Sequence, residues 1–464
     1  MKSTWASIVL TKLNFALWLK SSYLYRCLNL VSVWRSHSWF LQWSEEIGAG
    51  LIGLILILAP FVSTSMIGFL LIAVALYWIL TTVSESEPLG ITPIHVLVFI
   101  YWGICAIAAI LSPVRTAAID GLVKLTLYLM MFALGSRIMR SPKLGNWLIT
   151  STLLSSLIVS IYGIRQQFFG VEQLATWNDP NSVLAKDTRV YSYLGNPNLL
   201  GSYLLPAIAL SIVAVFVWSS WIQKTLAITL VGINSACLFF TDSRGAWIAM
   251  LALASALFLL LYWWWREYLP RFWRVWLLPL VFGTLGGLIL VTIVGVESVR
   301  IRFLSIFVGR ADSSNNFRQV VWDTVGTMIK DYPLTGIGPG NETFKAIYPR
   351  YMDSRYPALS AYSIYLEHIV EIGFIGFSSF IWLIVVTFNH GLTQVNHLRQ
   401  SRNIQGLWLI AAIAAIVGLL VHGLVDTVWY RPQVNTLWWF MLAIIASQFG
   451  AEGQGDGEIR EIGR

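Results

Sequence analysis

Hydrophobic residues in this chain fall in long unbroken blocks rather than in an alternating pattern. From residue 47 almost to the end, blocks of about 20 apolar residues are separated by short polar breaks. A helix of that length covers the roughly 30 Å hydrocarbon core of a bilayer. The pattern predicts twelve spans, over 47–63, 65–81, 93–112, 118–136, 147–168, 199–219, 222–241, 245–264, 276–295, 361–389, 406–424 and 433–450. A membrane β-barrel would instead show short segments of alternating polarity. The expected fold is therefore an all-α polytopic membrane protein with about 12 transmembrane helices.

One break is long enough to hold structure of its own, the loop 296–360. Ser313-Ser314-Asn315-Asn316 reads as a helix cap, and Phe317, Val321, Val325 and Met328 then recur at helical spacing until Pro333 stops the run. Gly336, Gly338, Pro339 and Gly340 make a turn, followed by a second, aromatic helix through Phe344, Tyr348 and Tyr351. At the other extreme, residues 1–46 carry Lys2, Lys12, Lys20, Arg26 and Arg35 among Trp, Leu and Ile, as expected of a basic amphipathic segment on the cytoplasmic leaflet. Lys12 interrupts the one stretch that could form a signal-peptide core. Residues 451–464 read as a polar cytoplasmic tail, which leaves 47–450 as the membrane domain.

Charge sets the expected orientation. With the N-terminus inside, the cytoplasmic segments carry 16 Lys and Arg, against six on the other side once the long loop is set aside. The positive-inside rule then gives a multi-pass protein of the plasma (inner) membrane, with both termini cytoplasmic and the 296–360 loop extracytoplasmic. Composition adds an exclusion: with 57% hydrophobic and 12% charged residues the chain is not a soluble protein. The net charge of +8 is what loop orientation and anionic lipid require, and no nucleic-acid motif accompanies it. Cys27, Cys105 and Cys237 lie too far apart to suggest a metal site or a disulfide framework. The reading carries no metal and no cofactor, and oligomeric state is not legible.

Candidate chemistry lies mostly at the outer ends of the spans. Arg115, Arg165, Arg189, Arg244 and Arg431 fall there, where topology alone favours few arginines. Guanidinium forks bind phosphate or carboxylate oxygens bidentately; the bland alternative is that each snorkels to headgroups or pairs with an acid such as Asp242. Arg244 sits in the polar turn Thr241-Asp242-Ser243-Arg244-Gly245, and Asn196 precedes span six, where it is either a helix cap or a polar ligand. Glu367 and Glu371 are four apart and share a helix face, as do His422 and Asp426; each pair is either functional or a bundle hydrogen bond. Lys124 and His95 show no partner in the sequence.

Taken together, the Ser243-Arg244-Gly245 turn, the loop residues Arg318, Trp322, Pro333, Leu334, Gly336 and Gly338, and Glu371, Gly373 and Gly376 in the next span resemble the O-antigen ligase and polymerase superfamily over residues 47–450. The resemblance implies glycan transfer from an undecaprenyl diphosphate carrier without a metal, with Arg244 and Arg318 on the diphosphate. Where the ligases carry a His-Asn pair, this chain has Tyr362-Ser363, which leaves Tyr362 and Glu371 as candidate catalytic groups. That departure, with Gly195-Asn196-Pro197-Asn198 and Leu41-Gln42-Trp43-Ser44, is similar to the cyanobacterial IctB-type subgroup. The subgroup resemblance implies a role in inorganic carbon accumulation, directly as a bicarbonate transporter or indirectly, with an anion site at Arg244, Arg318, Arg165, Arg189 and Asn196. On that reading glycan transfer is not expected, because no base stands in the histidine's place. The expected partners are membrane lipid and either bicarbonate or a lipid-linked glycan.

Overall fold

The computed structural model describes residues 2–10, 38–84, 90–171, 189–307, 309 and 312–447. Cys27, most of the N-terminal segment, Lys186 and the 451–464 tail lie outside the described residues. Numbered from residue 44, the helices are α1 Ser44–Leu58, α2 Thr64–Val83, α3 Pro93–Leu111, α4 Arg115–Ile138, α5 Pro142–Phe169, α6 Pro197–Val217, α7 Trp221–Phe240, α8 Arg244–Trp265, α9 Arg271–Gly295, α10 Glu297–Leu304, α11 Ser313–Asp331, α12 Asn341–Ile347, α13 Ile364–Gln400, α14 Gly406–His422 and α15 Pro432–Ala446. Each of the twelve expected spans lands on one of these. Among the described residues, nine helices are long and apolar enough to cross a membrane, with α14 and α15 as shorter apolar ones. The chain is an all-α polytopic membrane protein.

Position in the bundle follows from how each helix distributes its apolar surface. Of the α6 span, 78% of the residues are buried, whereas α9 buries 0% and exposes apolar surface along its length. α6 is therefore central, packed by α7, α8 and α14, and α9 stands on the periphery where lipid would cover it. Phe69, Phe99, Phe168 and Trp221 likewise point away from the core. Because lipid is as apolar as leucine, helix association here rests on close packing and interhelical hydrogen bonds. Ser160 donates to Asn234 Oδ1 at 2.7 Å and Asn234 Nδ2 to Ser156 at 3.2 Å, joining α5 to α7. His95 and Lys124 do find partners: His95 hydrogen-bonds Ser136 at 2.9 Å, and Lys124 pairs with Asp120 one turn away.

α13 runs for 37 residues, about 55 Å at 1.5 Å per residue, which exceeds one bilayer core. It is broken at Gly373, whose φ of 67° and ψ of −177° are not helical. The break withdraws the amide of Phe374 from Val370, and it donates to Pro333 O at 2.8 Å instead. Val370 O and Glu371 O are satisfied from the loop, by Ile337 N at 2.9 Å and Gly338 N at 2.8 Å. The backbones approach so closely that a Cβ on Gly336 or Gly373 would collide with the opposite main chain, and both residues have positive φ. The Gly-rich turn and the Gly-x-x-Gly of the span are thus two halves of one joint that ties the loop to the bundle.

The loop itself folds as two helices over that joint. α11 buries Val321, Val325 and Met328 against Phe344, Ile347 and Tyr348, as the helical spacing requires. Its cap is one residue earlier than expected: Asp312 accepts from Asn315 N at 2.9 Å, and Ser313 already begins the helix. The aromatic segment is shorter than expected, α12 giving way to a 3-10 turn at Tyr348–Arg350.

Candidate functional site

Four arginines from three distant stretches converge at the loop-bearing end. The Ser243 side chain caps α8, and Arg244 as its first residue points into the loop. One Arg244 nitrogen donates to Ser305 Oγ at 2.8 Å, the other to Asp312 Oδ1 at 3.0 Å. Arg302 forms an ion pair with Asp242. Arg189 donates to Thr241 O at 3.2 Å and reaches Asn198 Oδ1 at 3.5 Å. Asn198 passes its own amide hydrogen to Asp426 Oδ2 at 2.6 Å. Arg318 closes the group, donating to Val425 O at 2.8 Å and feeling the charges of Asp426 and Arg244.

Four guanidiniums face three carboxylates, Asp242, Asp312 and Asp426, so the cluster is one positive charge in excess. Arg244 and Asp312 are 13% and 20% exposed and Arg302 and Asp242 12% and 17%, so solvent screens them only partly. Burial, then the repulsion of Arg302, pulls Arg189 down to about 10, against the attraction of Asp242, which still leaves it charged at neutral pH. Burial also lowers Arg318, with Asp426 opposing. Such a group offers several charge-assisted donors to an incoming anion, which would have to displace the aspartates.

The loop motif gains its meaning here. Arg318 and Trp322 lie one turn apart on α11, and Trp322 Nε1 donates to Ala361 O at 3.0 Å while Arg318 reaches Val425. α11 is thereby fastened across the entry to α13 and the end of α14. Tyr362 sits beneath it, edge-on to Phe317 at 5.4 Å. Its hydroxyl is pushed up to about 12 by burial and by Asp426. Tyr362 and Asp242 have φ of 51° and 53°, rare for side-chain-bearing residues, and both border the cluster.

The other candidates divide. Asn196 spends its side-chain oxygen capping α6, accepting from Asn198 N at 2.8 Å and Leu199 N at 3.2 Å. Arg165 lies over the rings of Tyr162 and Phe169 on its own helix, and no contact among the described residues joins it to the cluster. His422 bonds Ser202 on α6 at 3.0 Å, the interhelical reading, while Asp426 belongs to the arginines. Glu367 and Glu371 line a separate cavity of about 420 Å³ between α4, α12, α13 and α15. Sequence reasoning missed Arg302, Asp312 and Asn198. The loop was set aside from the charge count, and only folding brings 302 and 312 beside 242 and 244.

Residues 229–381 match the O-antigen ligase family. Over those residues the chain is similar to the O-antigen ligases. The match covers about a third of the chain, from within α7 into α13, and takes in Arg244, Arg302, Arg318, Tyr362, Glu367 and Glu371. It supports a likeness to the O-antigen ligase and polymerase superfamily. It does not reach the IctB-type subgroup or a role in inorganic carbon. No curated protein matches the chain.

Proposed function

We propose that the chain transfers a glycan from an undecaprenyl-diphosphate-linked donor at the extracytoplasmic face of the inner membrane, with 47–450 as the working domain. Arg244 and Arg318 hold the diphosphate, and Arg189 and Arg302 add to the field. The observation that carries this reading is the convergence of four guanidiniums on three carboxylates at the end of the bundle where the large loop closes. A diphosphate offers more charge than any one of the aspartates and exchanges with them at Arg244. The inorganic-carbon role implied by the subgroup resemblance has no such support, since residues 229–381 are similar to the O-antigen ligases.

The test is binding of undecaprenyl diphosphate to the purified protein in lipid nanodiscs. Arg244→Lys keeps the charge and loses the fork, and Arg244→Ala loses both. A charge-assisted bidentate contact is worth about 1.5–3 kcal/mol, so Arg244→Ala should weaken binding roughly 10- to 100-fold, and Arg244→Lys by less. Wild-type affinity in both variants would remove the arginine from the site, and absence of binding by the wild type would remove the reading.

A further inference from the structure

α8 runs from Arg244 at the loop-bearing end to Trp265, and a second group of arginines lies at its far end. Two turns build it, α8–α9 with Arg266, Arg271 and Arg274, and α13–α14 with Arg399 and Arg402. Arg399 fastens the turns together. Its Nε donates to Trp264 O at 3.1 Å, one terminal nitrogen pairs with Glu267 at 2.7 Å, and the guanidinium lies over the Trp263 ring at 5.2 Å. Glu267 is the one carboxylate in either turn, so this pair is neutral and four arginines remain. All four are exposed, and among the described residues none has a carboxylate partner. Arg274 is held on the turn by donating to Glu267 O and Leu269 O, at 3.3 and 3.2 Å.

The turn that presents Arg402 is a helix end of the kind glycine usually closes. Asn403 N donates to Leu398 O at 2.8 Å and Arg402 N to Arg399 O at 3.1 Å, and Arg402 itself takes a φ of 55°. An arginine there is strained where a glycine would not be. The position sets its guanidinium over the ring of Tyr268, at 5.8 Å. A guanidinium stacked on a ring keeps its N–H edge free for oxygen acceptors.

What adjoins the arginines is apolar. Phe272, Trp273 and Trp276, on the first turns of α9, are exposed, the placing of aromatic rings at a membrane interface. Beyond them α9 buries none of its span. It meets α8 where Phe282 lies edge-on to Phe258 at 5.8 Å and where the Tyr262 hydroxyl donates to Arg274 O at 2.6 Å. An uncovered apolar helix that begins at a cluster of unpaired cations matches a molecule with a negative head and hydrocarbon chains. A soluble phosphate would leave α9 bare, and a zwitterionic lipid would bring a cation to a patch already cationic.

We propose that this end of the molecule is a binding site for an anionic phospholipid. Its phosphate lies on Arg266, Arg271 and Arg402, and its acyl chains run along α9 towards Phe282. In the orientation expected from the charge count, that lipid belongs to the cytoplasmic leaflet. The site is separate from the arginines under the loop and does not rest on the transfer reading.

The experiment titrates the purified full chain in dodecyl maltoside with phosphatidylglycerol, phosphatidylcholine or glycerol 3-phosphate, read by native mass spectrometry and thermal unfolding. Phosphatidylglycerol should bind at least about 10-fold more tightly than phosphatidylcholine and raise the thermal midpoint. Glycerol 3-phosphate at the same concentration should leave the midpoint where it was. Combining Arg266→Gln, Arg271→Gln and Arg402→Gln should weaken phosphatidylglycerol binding at least about 10-fold. A charge-matched control in the loop, Lys330→Gln with Arg350→Gln and Arg355→Gln, should bind as the wild type does. If the first combination fails to fold, Tyr268→Leu removes the ring under Arg402 without removing charge and should weaken binding about two- to five-fold; unchanged affinity there overturns the proposal. Equal binding of the two lipids, equal losses in the two triple variants, or a glycerol 3-phosphate response that matches the lipid's would also overturn it, and each would leave the reading of the loop-side arginines standing.

Discussion

At the scale of single residues, Tyr362 decides most. A tyrosine pushed up to about 12 is neutral at physiological pH and offers a hydroxyl donor, not a base. An acid whose folded pKa lies above its unfolded value of 10.0 contributes stability below that value and loses it as pH rises towards 12. Wild type and Tyr362→Phe should therefore show parallel thermal stability between roughly pH 6 and 9. They should diverge only above 10, where the wild type falls faster. Divergence near neutrality, measured by thermal unfolding in detergent, would place an ionised tyrosine in the cluster. The positive φ of Tyr362 and Asp242 is held by their surroundings, Phe317 above the one and Arg302 beside the other.

Among the elements, the joint between the loop and α13 carries the site. It fixes Glu371 through its own carbonyl, fixes the start of α12 through Gly340, and lets α11 bring Arg318 over the bundle. An alanine at Gly336 or Gly373 must adopt positive φ, at about 1–2 kcal/mol, and must also push apart two main chains that cannot yield as a side chain would. Either substitution should lower the thermal midpoint by several degrees and reduce undecaprenyl diphosphate binding. Gly232→Ala on α7, where an added Cβ meets nothing within 4 Å, should change stability by no more than about 1 kcal/mol. Equal effects at Gly232 and Gly373 would mean that the joint is not built on close approach.

For the whole molecule, the expected orientation places every member of the arginine cluster outside. Arg355 lies in the loop, and its side chain is 77% exposed, so a cysteine there is open to reagent. Arg355→Cys, made in a Cys27→Ser background, should be labelled on intact cells by a membrane-impermeant maleimide. The remaining cysteines, Cys105 and Cys237, are buried. Protection until the membrane is permeabilised would invert the topology and, with it, the side on which a donor is used.

The apolar blocks determined the twelve helices and their approximate ends, because burying a helical backbone in lipid needs a run of side chains that can be read from one sequence window. They also located the loop, its first helix through Phe317, Val321, Val325 and Met328, and the arginines at the span ends. What the sequence left open was which arginines share a site. Arg165 and Arg244 look alike as span-end residues, yet one lies over its own helix's aromatic rings and the other over Asp312. Asn196 could equally have been cap or ligand until its oxygen was seen on two amides of α6. The surroundings of Glu367 were hidden for the same reason: helical spacing pairs it with Glu371, but nothing local says that its carboxyl turns back to Ala361 or that Trp429 and Asn435 line the same cavity. Helix formation and membrane insertion depend on neighbours in sequence, whereas a charge cluster is made by contacts between residues far apart in the chain, which only the packed bundle supplies.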